Sequence, residues 1–201
     1  MGVRYRRRAA AAAFAVAGMF PAAASAEPDR YTIDPAHFSI GFSTHHLGYA
    51  EVIGMFLEAS GSFEYDAEAP AVREIEVVVL AASVFTNHQA RDGHLRGTDF
   101  LDAAAFPEIR FVGTEAEQTG ENTGIVRGEL SLLGETHPAE FEVVLNKAAD
   151  YPFGAGPPYV VGVSARGTIT RSLYGMTYGV ANGWVGDEIA LVVEFEAIRQ
   201  D

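Results

Sequence analysis

Glu188-Ile189-Ala190-Leu191-Val192-Val193-Glu194-Phe195-Glu196 places Ile189, Leu191, Val193 and Phe195 on one side of an extended chain and Glu188, Glu194 and Glu196 on the other. A side-chain period of two is that of a β-strand with one apolar and one wetted face, as a wall between water and an apolar interior requires. The same alternation recurs upstream. Residues 31–44 set Phe38, Ile40 and Phe42 against Ser39, Gly41 and Ser43, with a bend expected at Pro35. Residues 72–86 alternate through Ile75, Val77 and Val79, and further strands are expected near 108–116, 124–133, 138–147, 159–170 and 188–198. Between 52 and 65 the register is ambiguous, because Val52, Gly54 and Phe56 compete with Ile53, Met55 and Leu57 for the inner face. A bulge between Phe56 and Gly61 reconciles the two. A turn is expected at His45-His46-Leu47-Gly48, and residues 66–70, 119–123, 134–137 and 150–158 are breaks by composition. Neighbours joined by short turns pair antiparallel, and an even number of amphipathic strands closes without exposed edges. The fold class is therefore all-β, an antiparallel barrel of about eight strands.

Two segments do not read as wall. Arg91-Asp92-Gly93-His94-Leu95-Arg96-Gly97-Thr98-Asp99-Phe100 and the residues up to Phe111 read as short helical pieces followed by a strand. Gly93 and Gly97 weaken a continuous helix, and Pro107 disfavours helical geometry at Phe106. Arg91 and Leu95 share one helical face and Asp92 and Arg96 the next, so the second pair reads as a solvated ion pair worth roughly 0.3–0.5 kcal/mol. A charged, interrupted helical segment in a β protein is expected to cover an opening. The second segment, residues 171–187, carries Leu173, Tyr174, Met176, Tyr178 and Trp184, too much apolar surface for a passive loop. It is either a plug at the barrel end or a ligand-entry lid.

The first 26 residues are expected to be a secretory signal peptide. Arg4, Arg6, Arg7 and Arg8 are followed by an apolar run over 9–20, too short to span a bilayer, and by the small-residue cleavage site Ala24-Ser25-Ala26. Residues 27–201 are then one domain, with no later segment apolar enough to span a membrane. The whole chain carries −13; without those four arginines 10 basic residues face 27 acidic ones, a charge of −17. That surface argues against nucleic acid and against anionic lipid headgroups as partners. Cysteine is absent, which excludes disulfides, thiol catalysis and cysteine-held metal.

The histidines His37, His45, His46, His88, His94 and His137 lack metal-ligand spacing, so no metal site is expected. His46 or His94 reads instead as a hydrogen-bonded residue near the barrel mouth. There is no Gly-x-Ser-x-Gly elbow and no phosphate loop, and the strand glutamates occupy outward positions. No catalytic residue is assigned, and the protein is not expected to be an enzyme.

Taken in order, Tyr31-x-Ile33-Asp34-x-x-His37, Phe42 with His46-Leu47-Gly48, Val52-x-Gly54-x-Phe56 and Gly61 form a specific series. It continues through Ser83-Val84-x-Thr86, Arg91-Asp92-x-His94-Leu95-Arg96, Asp99-Phe100 and Phe106-Pro107-x-Ile109-x-Phe111. Gly128-x-Leu130-x-Leu132-x-Gly134-x-Thr136, Arg171, Gly175-Met176 and Val185-Gly186-Asp187 complete it. On these residues the chain resembles the YceI-like family of polyisoprenoid- or lipid-binding, lipocalin-like proteins. It departs from the family pattern at Phe38, where serine is usual, and at Ser172-Leu173-Tyr174.

The resemblance implies an extended lipocalin-like barrel with a short helical segment at its mouth, a periplasmic location and a long apolar pocket. The implied ligand is an isoprenoid lipid, polyprenyl or quinone-type, with no other cofactor. Phe42, Phe56, Leu95, Phe100, Phe111 and Met176 are the candidates for its tail. His46, Arg91, His94, Arg96 and Arg171 are candidates for its headgroup. Carriage and scavenging fit equally, and a homodimer is compatible with the sequence. One alternative is an enzyme that uses His46 or His94 with a carboxylate on an apolar substrate. Another is an interaction module whose barrel is filled with aromatic side chains.

Overall fold

The computed structural model describes residues 28–66 and 71–200. The signal peptide expected over 1–26 and most of the turn expected at 66–70 lie outside the described residues. Among the described residues there are ten strands: β1 Asp29–His46, β2 Ala50–Phe56, β3 Ala59–Asp66, β4 Ala71–Leu80, β5 Val84–Phe85, β6 Glu108–Gln118, β7 Thr123–Leu132, β8 Glu135–Asp150, β9 Tyr159–Thr170 and β10 Glu188–Arg199. The α-helix α1, Gln89–Leu95, joins β5 to the turns that precede β6.

The sheet runs β10-β9-β8-β7-β6-β4-β3-β1-β2-β5, and β10 returns to pair with β1. Eight strands, β1, β3, β4 and β6 to β10, thus form a closed antiparallel ring, as the alternation predicts. The other two continue this wall past kinks. The first residues of β1 pair with β3, and residues 40–46 pair with β2. Ser83 holds the kink between β2 and β3: the Leu57 and Glu58 N–H groups both donate to its Oγ at 3.2 Å. The hydroxyl itself donates to the Leu80 carbonyl at 2.7 Å.

That kink settles the ambiguous register. Val52 and Phe56 face the interior, while Ile53, Met55 and Leu57 stand exposed on the outer face. Gly54 lies in the inner row because a Cβ there would meet the Phe42 ring edge at 2.7 Å and Thr86 Cγ2 at 2.8 Å. Hairpin turns fix the neighbouring registers. Leu47 (φ 53°) and Gly48 (φ 74°) are the central residues of the three-residue turn Leu47-Gly48-Tyr49 between β1 and β2, closed by the Tyr49 N–H donating to the His46 carbonyl at 3.1 Å, and Leu133 (φ 54°) with Gly134 (φ 80°) make the two-residue turn of β7 and β8. Two successive positive φ values match the right-handed twist of paired strands.

β5 has two residues and β6 starts only at Glu108, so the wall is short between β2 and β6. The helical segment occupies that gap, as expected of a segment covering an opening. Its division differs from expectation: Gly93 lies inside α1, at a position with nothing within 4 Å of an added Cβ, and only Gly97 falls beyond the helix end. His88 caps the first turn, its Nδ1 accepting from the Arg91 N–H at 3.2 Å. At the opposite end, Tyr31 is buried and stacks on Phe63 with centroids 5.5 Å apart, in a cluster with Val161 and Ala197. Burial pushes the Tyr31 hydroxyl up to about 12.

The close approach of strands is testable at two glycines. A Cβ on Gly128 would land on the Val112 carbonyl oxygen and within 2.8 Å of the Phe111 ring, whereas one on Gly162 has only Asn146 Cβ at 3.9 Å. Gly128→Ala is expected to lower stability by about 1–3 kcal/mol in urea denaturation. Gly162→Ala is expected to leave it unchanged or raise it by about 0.5–1 kcal/mol.

Candidate ligand-binding site

The inward rows of the barrel enclose a cavity of about 500 Å³. Its lining is almost wholly aliphatic and aromatic, running from Phe63, Val161 and Phe195 at the Tyr31 end to Phe42, Phe56, Phe100 and Met176 beneath the helical segment. Ile189, Leu191, Val193 and Phe195, the apolar row of β10, all line it. Four lining residues are exposed: His46, Arg91, His94 and Tyr178. They come from the end of β1, from α1 and from the loop after β9, and they mark the mouth.

Ten of the eleven residues selected from the sequence line this cavity: Phe42, His46, Phe56, Arg91, His94, Leu95, Phe100, Phe111, Arg171 and Met176. Arg96 does not. Its Nη1 donates to the Val84 carbonyl at 3.2 Å and to that of Ala82 at 3.5 Å, which tethers α1 to the β5 segment. The expected solvated pair of Asp92 with Arg96 is also corrected. Asp92 is buried, and its Oδ1 accepts from the Thr86 N–H at 2.8 Å and from the Thr86 hydroxyl. Those bonds from Thr86 hold the carboxyl below the usual carboxylate range, with Arg96 and Arg91 adding attraction at longer range. A carboxylate that satisfies two donors at the start of a covering segment is a fastening.

Arg91 shares that fastening. Its Nε donates to the Thr86 hydroxyl and its Nη2 to the Thr86 carbonyl, both at 2.7 Å. Nη1 has no protein partner among the described residues. His94 stands between two rings, edge-on to Phe100 and to Tyr178 with centroids 5.0 Å away in each case. Its Nε2 lies 2.8 Å from Asp99 Oδ2.

Arg171 is 1% exposed and is built into the loop it introduces. Nε donates to the Gly186 carbonyl, Nη1 to that of Met176 and Nη2 to that of Tyr178, each at 2.8 Å, with Val185 at 3.2 Å. Burial pulls the guanidinium below the usual arginine range, and the charge of Asp187 opposes it. Asp187 in turn accepts from the Ser172 N–H at 2.9 Å and hydroxyl at 2.7 Å. Carbonyls thus absorb the cation expected to face a headgroup, and residues 171–187 are drawn across the barrel end. Tyr178 and Thr86 were not selected from the sequence. For Tyr178 the signal was present, two residues from Met176 in an aromatic loop; Thr86 has no local signature, because its role depends on Asp92 six residues on.

The family model described as the YceI-like domain matches residues 31–197. A UPF0312 protein of Pseudomonas savastanoi pv. phaseolicola is 34% identical over 191 residues, covering 94% of this chain and 96% of the relative. The crystal structure of the Campylobacter jejuni YCEI protein is similar at a TM-score of 0.70 and 26% identity, over 78% of this chain and 90% of that one. A structure described as a polyisoprenoid binding domain from Saccharophagus degradans, implicated in plant cell wall breakdown, shares the fold at a TM-score of 0.59 and 13% identity, over 87% of this chain and all of that one (100%). With its closed antiparallel wall, its apolar lumen and these matches, the chain belongs to the YceI-like family.

Proposed function

We propose that this protein is a non-enzymatic periplasmic carrier or scavenger that holds an isoprenoid lipid, tail in the lumen and headgroup at the mouth. The observation that carries the reading is the cavity of about 500 Å³ with an apolar lining whose exposed members all sit at one end. Its volume falls within the roughly 300–1,000 Å³ of small-molecule sites. Hydrocarbon taking water's place against such a lining gains about 0.8 kcal/mol per methylene, so one five-carbon isoprene unit contributes on the order of 3 kcal/mol before losses. A few units outweigh the several kcal/mol lost in freedom on binding. The polyisoprenoid-binding description of the Saccharophagus degradans relative supports the same ligand class, and the leader-like sequence of residues 1–26 supports export.

The mouth favours an uncharged headgroup. A pyrophosphate needs clustered cations, and of the arginines considered, Arg96 and Arg171 are committed to backbone carbonyls while Arg91 keeps one nitrogen for a ligand. A quinone-type carbonyl needs one or two donors, which Arg91, His46 and Tyr178 supply. A second reading draws on the pair of His94 and Asp99, a histidine and carboxylate 2.8 Å apart at the mouth of an apolar cavity. That arrangement suits general base catalysis on an apolar substrate.

Organic extraction of the purified protein followed by mass spectrometry is expected to release an isoprenoid; a protein that yields none and takes up no added polyprenyl compound would sink the proposal. In competition at matched tail length, a quinone is expected to bind about tenfold or more tightly than a pyrophosphate, a gap of about 1.4 kcal/mol. Preference for the pyrophosphate would reverse the headgroup assignment. The enzymatic reading instead requires turnover that His94→Ala abolishes while lipid uptake survives, measured against a panel of apolar esters and isoprenoids.

A further inference from the structure

The outer surface near the mouth carries apolar side chains that neither the fold nor the lumen uses. Ile53 is 73% exposed on the outer face of β2, beside Met55 and Leu57 in the same row, and Phe85 on β5 pairs directly with Met55. The row leads to the β1–β2 turn, where Leu47 and Tyr49 project and Tyr49 is 90% exposed. The Leu47 N–H donates to the Trp184 carbonyl at 2.9 Å, which ties this turn to the loop across the barrel end and places Trp184, half-exposed, at the same rim. Tyr178, on that loop, is exposed and also lines the cavity. The outer apolar surface and the lumen therefore meet at the mouth.

Charge separates this flank from the rest of the wall. Elsewhere the outer rows are laced with ion pairs, Arg110 with Glu76, Arg127 with Glu117 and Glu140, and Arg166 with Glu194. From residue 47 to 57 the only charged side chain is Glu51, which lies 3.2 Å from His45. The chain is acidic, −13 as a whole and −17 without residues 1–26, and is repelled by anionic lipid, so contact with a bilayer must come from apolar and aromatic insertion between uncharged or zwitterionic headgroups. Tyr and Trp, with apolar bodies and polar tips, suit that depth.

We propose that the mouth end docks, through Leu47, Tyr49, Ile53 and Trp184, on the surface of a zwitterionic bilayer, with the lumen facing it. This rests on the reading of the protein as an isoprenoid binder, and it supplies what that reading lacks, a path by which a water-insoluble tail passes between bilayer and lumen without crossing water.

Trp184 is the chain's only tryptophan, so its fluorescence reports on the rim alone. Purified protein mixed with phosphatidylcholine vesicles is expected to float with them, with Trp184 emission moved to shorter wavelength. Tyr49→Asp combined with Ile53→Asp is expected to cut flotation about tenfold or more, because each replaces an exposed side chain that inserts into the bilayer by a charge. Both positions are exposed, so circular dichroism and isoprenoid uptake from a detergent dispersion should stay as in the unaltered protein. Absence of flotation, flotation that survives both substitutions, or a requirement for anionic lipid overturns the proposal. So does a concentration-dependent dimer, seen in sedimentation without vesicles, that shields Trp184 from quencher. If the isoprenoid reading itself fails, uptake from detergent is absent whatever the vesicles do; if only docking fails, that uptake persists without flotation.

Discussion

The return of β10 onto β1 is the contact on which the rest of the molecule depends. Residues 31–33 pair with 197–199 and residues 38–43 with 190–195, which removes two free edges and makes every inward row face another across a lumen. The seam is interrupted between Ile33 and Phe38, where ladder bonds are lost. There Asp34 accepts from the Ala36 N–H at 2.9 Å and holds His37 Nδ1 at 2.7 Å, so side chains take over where the ladder lapses. The Asp34-x-x-His37 pattern is thereby explained as a polar staple on a strand bend. Closure leaves an interior whose side chains have only each other or a ligand as neighbours.

Polar groups near the mouth are used mainly for construction. Asp92 satisfies Thr86, Arg96 the β5 segment, and Arg171 the carbonyls of the loop that crosses the barrel end. A buried guanidinium without a direct carboxylate partner is tolerated because several carbonyl oxygens replace its water. With those groups committed, Arg91, His46, His94 and Tyr178 remain to meet a ligand, and the lumen below them is lined almost wholly by aliphatic and aromatic side chains.

The wall was legible because one face is apolar and the other is not. Ile189, Leu191, Val193 and Phe195 line the lumen as their alternation predicts, and ten of eleven selected residues reach it. Legibility failed in β2, where both rows are apolar, since local period cannot say which faces water; the close approach of Phe42 and Thr86 over Gly54 and the outward position of Ile53 and Met55 decide it. It failed again for Asp92 and Arg96. Helical spacing makes them neighbours, but Thr86 offers the carboxylate two donors that no spacing rule includes. For Arg171 the acceptors are backbone carbonyls five to fifteen residues away, which have no residue signature.

On the proposed function, a hydrocarbon chain fills the lumen. Electron density from crystals of the protein purified without detergent tests it most directly. Continuous elongated density from the Phe63 and Phe195 end to the mouth at His94 and Tyr178 is expected. A lumen in which Phe42, Phe111 and Leu191 close together across the axis, or one that contains only separate water peaks, would contradict it.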